Sequence, residues 1–315
     1  MTPGRPVITL GGNLTSNSGG TGADRWREPL LMTKPTIAQL SSNIHRATIN
    51  GCDVRYLRVG AGTPVVFVHT LRTQLEMFLW VIEKVDTAQL EVIAIDLPGH
   101  GESTAPPVDY TADYFTDTVE GFLEQLELRD AVFVGESIGA SIGLILAARG
   151  NPRIAHVMAV NPYDYGRWGG ARRSSALNNV VFSTILWPVV GPVVARAGTK
   201  GLLRLVLAGG LHDRRKLPPG LADDIARCGR LPGHARAFRS LCRQWRSWLS
   251  ARAQYGQISV AVTLVYGDED WSRPAERHAN ARDIPGAHLV TLEATGHFAS
   301  LEKPGKIADL IKAVN

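Results

Sequence analysis

The sequence predicts an α/β protein, a doubly wound and mostly parallel sheet interrupted once by a long helical insertion. Three observations carry this reading. Short apolar runs (PVVFVHT, EVIAID, AVFVG, HVMAVNP) alternate with segments of helical spacing. That is the pattern of strands buried on both faces and joined by crossover helices. The alternation then stops for about ninety residues and resumes with SVAVTLVYG and HLVTLEA. The interrupting stretch also differs in charge. Residues 161–256 hold 16 Lys and Arg against 4 acids, a balance of +12, while the remainder carries −7 within a formal net charge of +5.

The elements follow in order. Residues 1–40 read as a flexible tail, because GGNLTSNSGGTGAD is a Gly/Ser/Asn linker, with a short helix expected over 36–44. ATINGCDVRYLRVG predicts a β-hairpin turning at Asn50-Gly51. PVVFVHT is a buried strand, LEMFLWVIEKV has helical spacing, and EVIAID is a second buried strand ended by LPGHG. TADYFTDTVEGFLEQLEL predicts an amphipathic helix capped by Thr111. AVFVG is a third buried strand, followed by a helical run over 137–149, and HVMAVNP is a fourth. The insertion reads as helical, with amphipathic stretches at 201–211 and 233–253. Beyond it come two strands, a helix over 273–282 and a last helix from Lys306. The expected organisation is a tail at 1–40, a sheet domain from 41–162 and 257–315, and a helical insertion at 163–256.

Composition excludes several classes. In 315 residues, 44% are apolar and 20% charged, enough to bury a core and too apolar for general disorder. Three cysteines without a CxxC pair exclude a disulfide framework and a structural zinc site. Their usage suits a reducing compartment, so a cytoplasmic location is expected. The first thirty residues contain no continuous apolar run of the secretory kind. The longest uncharged run, 174–195, has only 13 apolar positions among 22 and includes Asn178, Asn179, Pro188, Gly191 and Pro192. It reads as a core or interfacial segment, so we expect no transmembrane segment and at most peripheral membrane contact. The basic insertion carries no nucleic-acid-binding motif, and no nucleic-acid partner is expected.

The chemistry centres on Gly135-Glu136-Ser137-Ile138-Gly139, a G-x-S-x-G directly after a buried strand and before a helix. A nucleophile on such a sharp turn needs small neighbours, and the helix N-terminus favours developing negative charge. His297, in a loop between a strand and the last helix, is the expected base. His69 and His100 end strand-to-loop segments and are expected to brace loops. The base needs a carboxylate, and YGDEDWSRP offers Asp268, Glu269 and Asp270, of which Asp270 is the expected partner and Asp268 a turn or cap residue. Asp164, after the fourth strand, is the rival acid. The backbone N–H groups of Ile138 and Leu71 are the expected oxyanion donors.

TPVVFVHT, AIDLPGHGES, GESIGA, VYGDED and TGHFASLEKP together resemble the α/β-hydrolase fold superfamily, in its cap-bearing esterase, haloperoxidase and C–C hydrolase branch. The resemblance covers about 45–162 and 257–315. It implies an α/β-hydrolase fold whose inserted helical cap roofs Ser137. One departure stands out. The family usually has His-Gly at the oxyanion loop, whereas this chain has His69-Thr70-Leu71-Arg72. Either the hole is reshaped or the Thr70 hydroxyl donates. Serine at 137 also separates the chain from epoxide hydrolases and haloalkane dehalogenases of this fold, which need a carboxylate there.

Within the insertion, Trp168, Trp187, Trp245, Trp248 and VVFSTILWPVVGPVV either pack the cap or line a hydrophobic acyl tunnel. On the second reading Trp168 and Trp187 touch substrate. Basic residues, such as the cluster Arg214, Arg215 and Lys216, then stand at the rim for an anionic headgroup, coenzyme or carrier protein. The expected function is a serine hydrolase acting on an ester or thioester of a hydrophobic acid, with no metal and no organic cofactor. A C–C bond hydrolase acting on a diketone, a cofactor-free haloperoxidase or perhydrolase, and a ligand receptor on a degenerate hydrolase fold are the alternatives.

Overall fold

The computed structural model describes residues 43–196 and 200–315. The expected tail at 1–40 and all but the end of the expected helix at 36–44 lie outside the described residues. Ile44, the last residue of that helix, instead begins strand β1.

Eight strands form one sheet in the order β1-β2-β4-β3-β5-β6-β7-β8. β1 (Ile44–Ile49) and β2 (Cys52–Gly60) make the hairpin, with Asn50 and Gly51 both at positive φ, the conformation a two-residue turn demands. β2 also pairs antiparallel with β4 (Leu90–Ile95). From β4 through β3 (Thr63–Val68), β5 (Ala131–Glu136), β6 (Ile154–Val160), β7 (Ala261–Gly267) and β8 (His288–Leu292) every pairing is parallel.

The continuous apolar runs have a direct cause. Along β5, Ala131 and Phe133 enter one core while Val132 and Val134 enter the core on the opposite face. β3 divides in the same way, with Val66 and Val68 against Val65 and Phe67. Successive side chains point to opposite faces, so a strand covered on both sides must be apolar throughout. Helices α2 (Ala112–Gln125) and α3 (Ile138–Ala148) contribute to the first core, and α1 (Leu79–Ile82) and α12 (Pro304–Ala313) to the second. Thr111 caps α2, its side chain accepting the Tyr114 N–H. The segment LEMFLWVIEKV is not one helix. It is a 3-10 turn, Leu75–Phe78, running into the four-residue α1.

Between β6 and β7 all regular elements among the described residues are helical. They include α4 (Ala176–Thr184), α5 (Val190–Arg196), α6 (Lys200–Ala208), α7 (Leu221–Cys228), α8 (His234–Arg243) and α9 (Trp245–Ala251). The long uncharged run is thus divided between α4 and α5. Among the described residues no helix is long and apolar enough to cross a membrane. After β7 come α10 (Pro274–Asp283), then β8, then the short α11 (Ala299–Glu302) leading into α12.

Candidate active site

β5 delivers Ser137 at the centre of the sheet. The chain turns there into α3 with Ser137 at φ 57° and ψ −112°, a strained backbone for a non-glycine residue. The turn is held by the Ser137 N–H on Val160 O at 2.9 Å and by Ser137 O, which accepts the Tyr163 N–H at 3.1 Å. The flanking glycines are required by close approach. A Cβ on Gly135 would overlap the backbone of Gly139, and one on Gly139 would overlap the carbonyl of Val68.

His297 sits between β8 and α11, fixed at both ends of its peptide. Its N–H donates to Gly210 O at 2.7 Å, and its carbonyl accepts Asn161 Nδ2 at 2.9 Å. Asn161 closes a second contact by accepting the Gly267 N–H at 3.1 Å, tying the β6, β7 and His297 loops together. Trp271 stacks on the imidazole, with ring centroids 3.8 Å apart and planes 10° apart. The ring therefore has one orientation. Nδ1–H donates to Asp270 Oδ1 at 2.5 Å, which leaves Nε2 to accept the Ser137 hydroxyl at 3.0 Å.

Asp270 is fully buried and well partnered. Its Oδ2 accepts the Ser272 N–H at 2.8 Å, the Ser272 hydroxyl, and the Tyr165 hydroxyl at 3.1 Å. Burial pushes its carboxyl up. The His297 ring and the Ser272 hydrogen bonds outweigh that and hold it below the ordinary carboxylate range. Asp270 is thus an anion set against His297.

Asp268 does other work, accepting the N–H groups of Ala294 and Thr295 at 3.1 Å and so bracing the loop that carries His297. Asp164 is remote from the imidazole in its bonding. It accepts from Tyr255 Oη at 2.8 Å and from Asn280 Nδ2 at 3.0 Å. His69 links loops as expected, with Nδ1 on Thr70 O at 2.7 Å and Nε2 accepting the Leu97 N–H at 3.0 Å. Burial lowers its pKa to about 4, so it is neutral. His100 likewise has Nδ1 on Pro98 O at 3.0 Å.

A mainly apolar cavity opens onto Ser137 and His297. Thr70 and Leu71 form part of its wall, and Ile138 is the first residue of α3, beside the Ser137 hydroxyl. Thr70 needs no glycine-like backbone, because the loop makes its positive-φ turn at Arg72, at 61°. Thr70 O is turned inward, accepting from the Thr73 N–H and hydroxyl at 3.2 and 2.9 Å. The remaining wall comes from the helices between β6 and β7, through Val181 and Phe182 of α4, Val194 of α5, Leu207 of α6 and Phe238 of α8. Trp271 and Phe298 complete it.

The two tryptophans expected to touch substrate do not line this cavity. Trp168 is buried, its indole N–H satisfied by Cys242 O at 2.7 Å and Arg167 packed over the ring. Trp187 is 56% exposed. The basic cluster at 214–216 is also elsewhere. Arg215 pairs with Asp213 at 2.9 Å, and Arg215 and Lys216 flank a separate surface cleft. The cation on the cavity wall is Arg72. Among the described residues no group of three His, Cys, Asp or Glu side chains is placed to hold a metal ion.

Glu136, between Gly135 and Ser137, is buried and accepts the Ser300 N–H at 3.3 Å. Burial raises its pKa to about 8, against the lowering effect of the Ser300 hydrogen bonds. From about pH 4.5, where the unfolded chain ionises, to about pH 8, the native state holds a proton that the unfolded state has lost. Stability therefore falls as pH rises through that window. We expect Glu136→Gln to remove this loss, so that the variant gains on wild type between about pH 5 and pH 8 by up to a few kcal/mol. Urea unfolding at both pH values checks this. A constant difference would mean that Glu136 is ionised in the fold.

A model of the alpha/beta hydrolase family matches residues 65–310. The chain is 28% identical over 271 residues to the dihydrolipoyllysine-residue acetyltransferase component of the acetoin cleaving system of Cupriavidus necator, covering 84% of this chain and 67% of that relative. It is 26% identical over 287 residues to 3-oxoadipate enol-lactonase 2 of Acinetobacter baylyi, covering 91% and 98%. The enol-lactonase structure from Burkholderia xenovorans superposes with a TM-score of 0.68 at 23% identity, over 85% of this chain and 98% of that one.

Proposed function

The chain belongs to the alpha/beta hydrolase family, and from that premise we propose that it is a serine hydrolase cleaving an ester or thioester of a hydrophobic acid. One observation carries the reading. Ser137 Oγ, His297 Nε2, His297 Nδ1 and Asp270 Oδ1 form a continuous hydrogen-bonded line that ends in a mainly apolar cavity. Ser137 Oγ attacks the substrate carbonyl carbon as His297 takes the hydroxyl proton, and Asp270 stabilises the imidazolium. The N–H groups of Ile138 and Leu71 hold the oxyanion, with the Thr70 hydroxyl on the same wall. His297 then protonates the leaving group as the C–O or C–S bond breaks, which leaves an acyl ester on Ser137. A water molecule gives a proton to His297 and attacks the acyl carbon, His297 returns that proton to Ser137 Oγ as the ester bond breaks, and the acid departs. Residues 163–256 act as the cap, and their apolar side chains give the acyl group its environment.

The name of the enol-lactonase relative describes cleavage of a cyclic ester, and that of the acetyltransferase component describes acyl transfer. Both fit an acyl-enzyme route. The test is a fluorophosphonate probe, expected to label wild type stoichiometrically at Ser137 and to leave Ser137→Ala unlabelled. An ester and thioester panel run beside a vinylogous diketone then separates acyl from C–C bond chemistry. Absence of both labelling and turnover would favour a ligand receptor instead.

A further inference from the structure

Arg72 presents an unusual combination. It lines the same cavity as Ser137 and follows Leu71, a proposed oxyanion donor, yet none of the described residues lining that cavity is a carboxylate. One guanidinium nitrogen, Nη2, donates to Ala195 O at 3.0 Å, and the group lies 4.7 Å from the centre of the Phe238 ring. Among the described residues no carboxylate pairs with it. The neighbouring titratable groups are Cys242, whose thiol burial pushes up to about 12, and His100 and His234, both lowered by burial. Burial pulls the guanidinium down only to about 10, so it remains a cation at neutral pH. A guanidinium drawn partly out of water with no carboxylate beside it costs free energy that the Ala195 carbonyl and the Phe238 ring offset only in part. The left-handed backbone at Arg72, uncommon for a residue with a side chain, adds to that cost. Both features fall on one residue at the reaction cavity.

We propose that Arg72 recognises a carboxylate carried by the substrate, so that the proposed hydrolase acts on a hydrophobic ester or thioester bearing a second, anionic carboxyl group. The inference rests on the serine hydrolase reading for its chemistry and on Arg72 alone for its specificity. Arg72 is a specificity residue here: a guanidinium presents parallel N–H donors that match a carboxylate. The rest of the wall is mostly apolar, which suits the chain between the carboxylate and the scissile carbonyl.

The test compares esters matched in chain length. One arm puts the carboxylate on the acyl group, in p-nitrophenyl monoesters of the dicarboxylic acids from succinic to suberic, against p-nitrophenyl esters of the matching fatty acids. The other puts it on the leaving group, in carboxyphenyl against phenyl esters of one fatty acid. In at least one arm we expect wild-type kcat/KM to favour the carboxylate ester by about tenfold or more, the scale of a charge-assisted hydrogen bond. Arg72→Gln should reduce that ratio by about tenfold, and Arg72→Lys should retain part of it. If Arg72 only props α5 through Ala195, both members of each pair decline together and the ratio stays put. A ratio near one in wild type in both arms, or an unchanged ratio in Arg72→Gln, overturns the proposal. Calorimetry with the inert N-methyl monoamides of the same diacids, against the matching fatty amides, keeps the two readings apart. Lost turnover with an Arg72-dependent preference for the acid would sink the hydrolase reading and keep the carboxylate site. No such preference in these amides, nor in N-carboxyphenyl against N-phenyl amides of one fatty acid, sinks the site.

Discussion

Ser137→Ala is expected to lower kcat for ester hydrolysis by about 10⁴–10⁶-fold while leaving the fold intact. The structure separates the two effects. Ser137 is held at its strained turn by backbone groups, its N–H on Val160 O and its carbonyl accepting from Tyr163, and alanine keeps both. Alanine also keeps the Cβ, so the left-handed strain is unchanged. Only Oγ is lost, and with it the proposed acceptor of the acyl group and the donor to His297 Nε2 at 3.0 Å. The residual rate would come from the oxyanion donors and cavity binding. Steady-state kinetics and thermal unfolding of both proteins check this together. A variant that retains more than about a tenth of wild-type kcat, with an unchanged melting temperature, removes Ser137 as nucleophile.

The sheet was legible because its strands are buried on both faces. Val65 to Val68 and Ala131 to Val134 feed two cores in alternation, so they read as unbroken apolar runs. The hairpin was legible because Asn50-Gly51 is a local solution to a local problem. LEMFLWVIEKV was legible as helical, because Leu75, Met77, Phe78, Leu79, Val81 and Ile82 are all buried against the second core, but not in its kind, a 3-10 turn whose first N–H, that of Leu75, is taken by Asp96 Oδ1 at 2.8 Å before the short α1 follows. Periodicity reports which faces are buried and does not separate a 3-10 turn from an α-helix over so short a run.

The site divided along the same lines. The elbow at Ser137 is a contiguous motif and could be read directly, although Gly139 answers the distant carbonyl of Val68. Tyr165, Ser272, Trp271 and Asn161 could not. Each acts through contacts that only the folded chain creates, as when Tyr165 reaches Asp270 and Asn161 reaches His297. Trp168 and Trp187 failed as substrate contacts for opposite reasons. One finds its indole acceptor inside the packed helices, and the other faces solvent. Arg72 was visible only as a departure in the oxyanion loop. That no carboxylate among the described residues pairs with it is a property of the folded surroundings.

Asp270→Asn is expected to cost about 10⁴ in kcat, far more than Asp268→Asn or Asp164→Asn. The hydrogen bonds dictate the orientation of the new amide. Three donors, the Ser272 N–H, the Ser272 hydroxyl and the Tyr165 hydroxyl, converge on Asp270 Oδ2, so the asparagine carbonyl belongs there. Its NH₂ group then faces His297 Nδ1, where the carboxylate accepted a proton at 2.5 Å. Two donors cannot face each other. The imidazole must move its proton to Nε2, and Nε2–H cannot take the proton of Ser137. The amide also removes the negative charge that stabilises the imidazolium. Asp268→Asn keeps an oxygen for the N–H groups of Ala294 or Thr295, so it loosens the His297 loop without changing the tautomer. Asp164→Asn disturbs only the bonds to Tyr255 and Asn280, and its effect belongs mainly in stability. Measuring kcat for the three variants beside their melting temperatures separates these outcomes. Should Asp164→Asn be the variant that loses about 10⁴ while Asp270→Asn turns over normally, the acid of the triad would come from the end of β6, and the line from Ser137 to Asp270 would be structural.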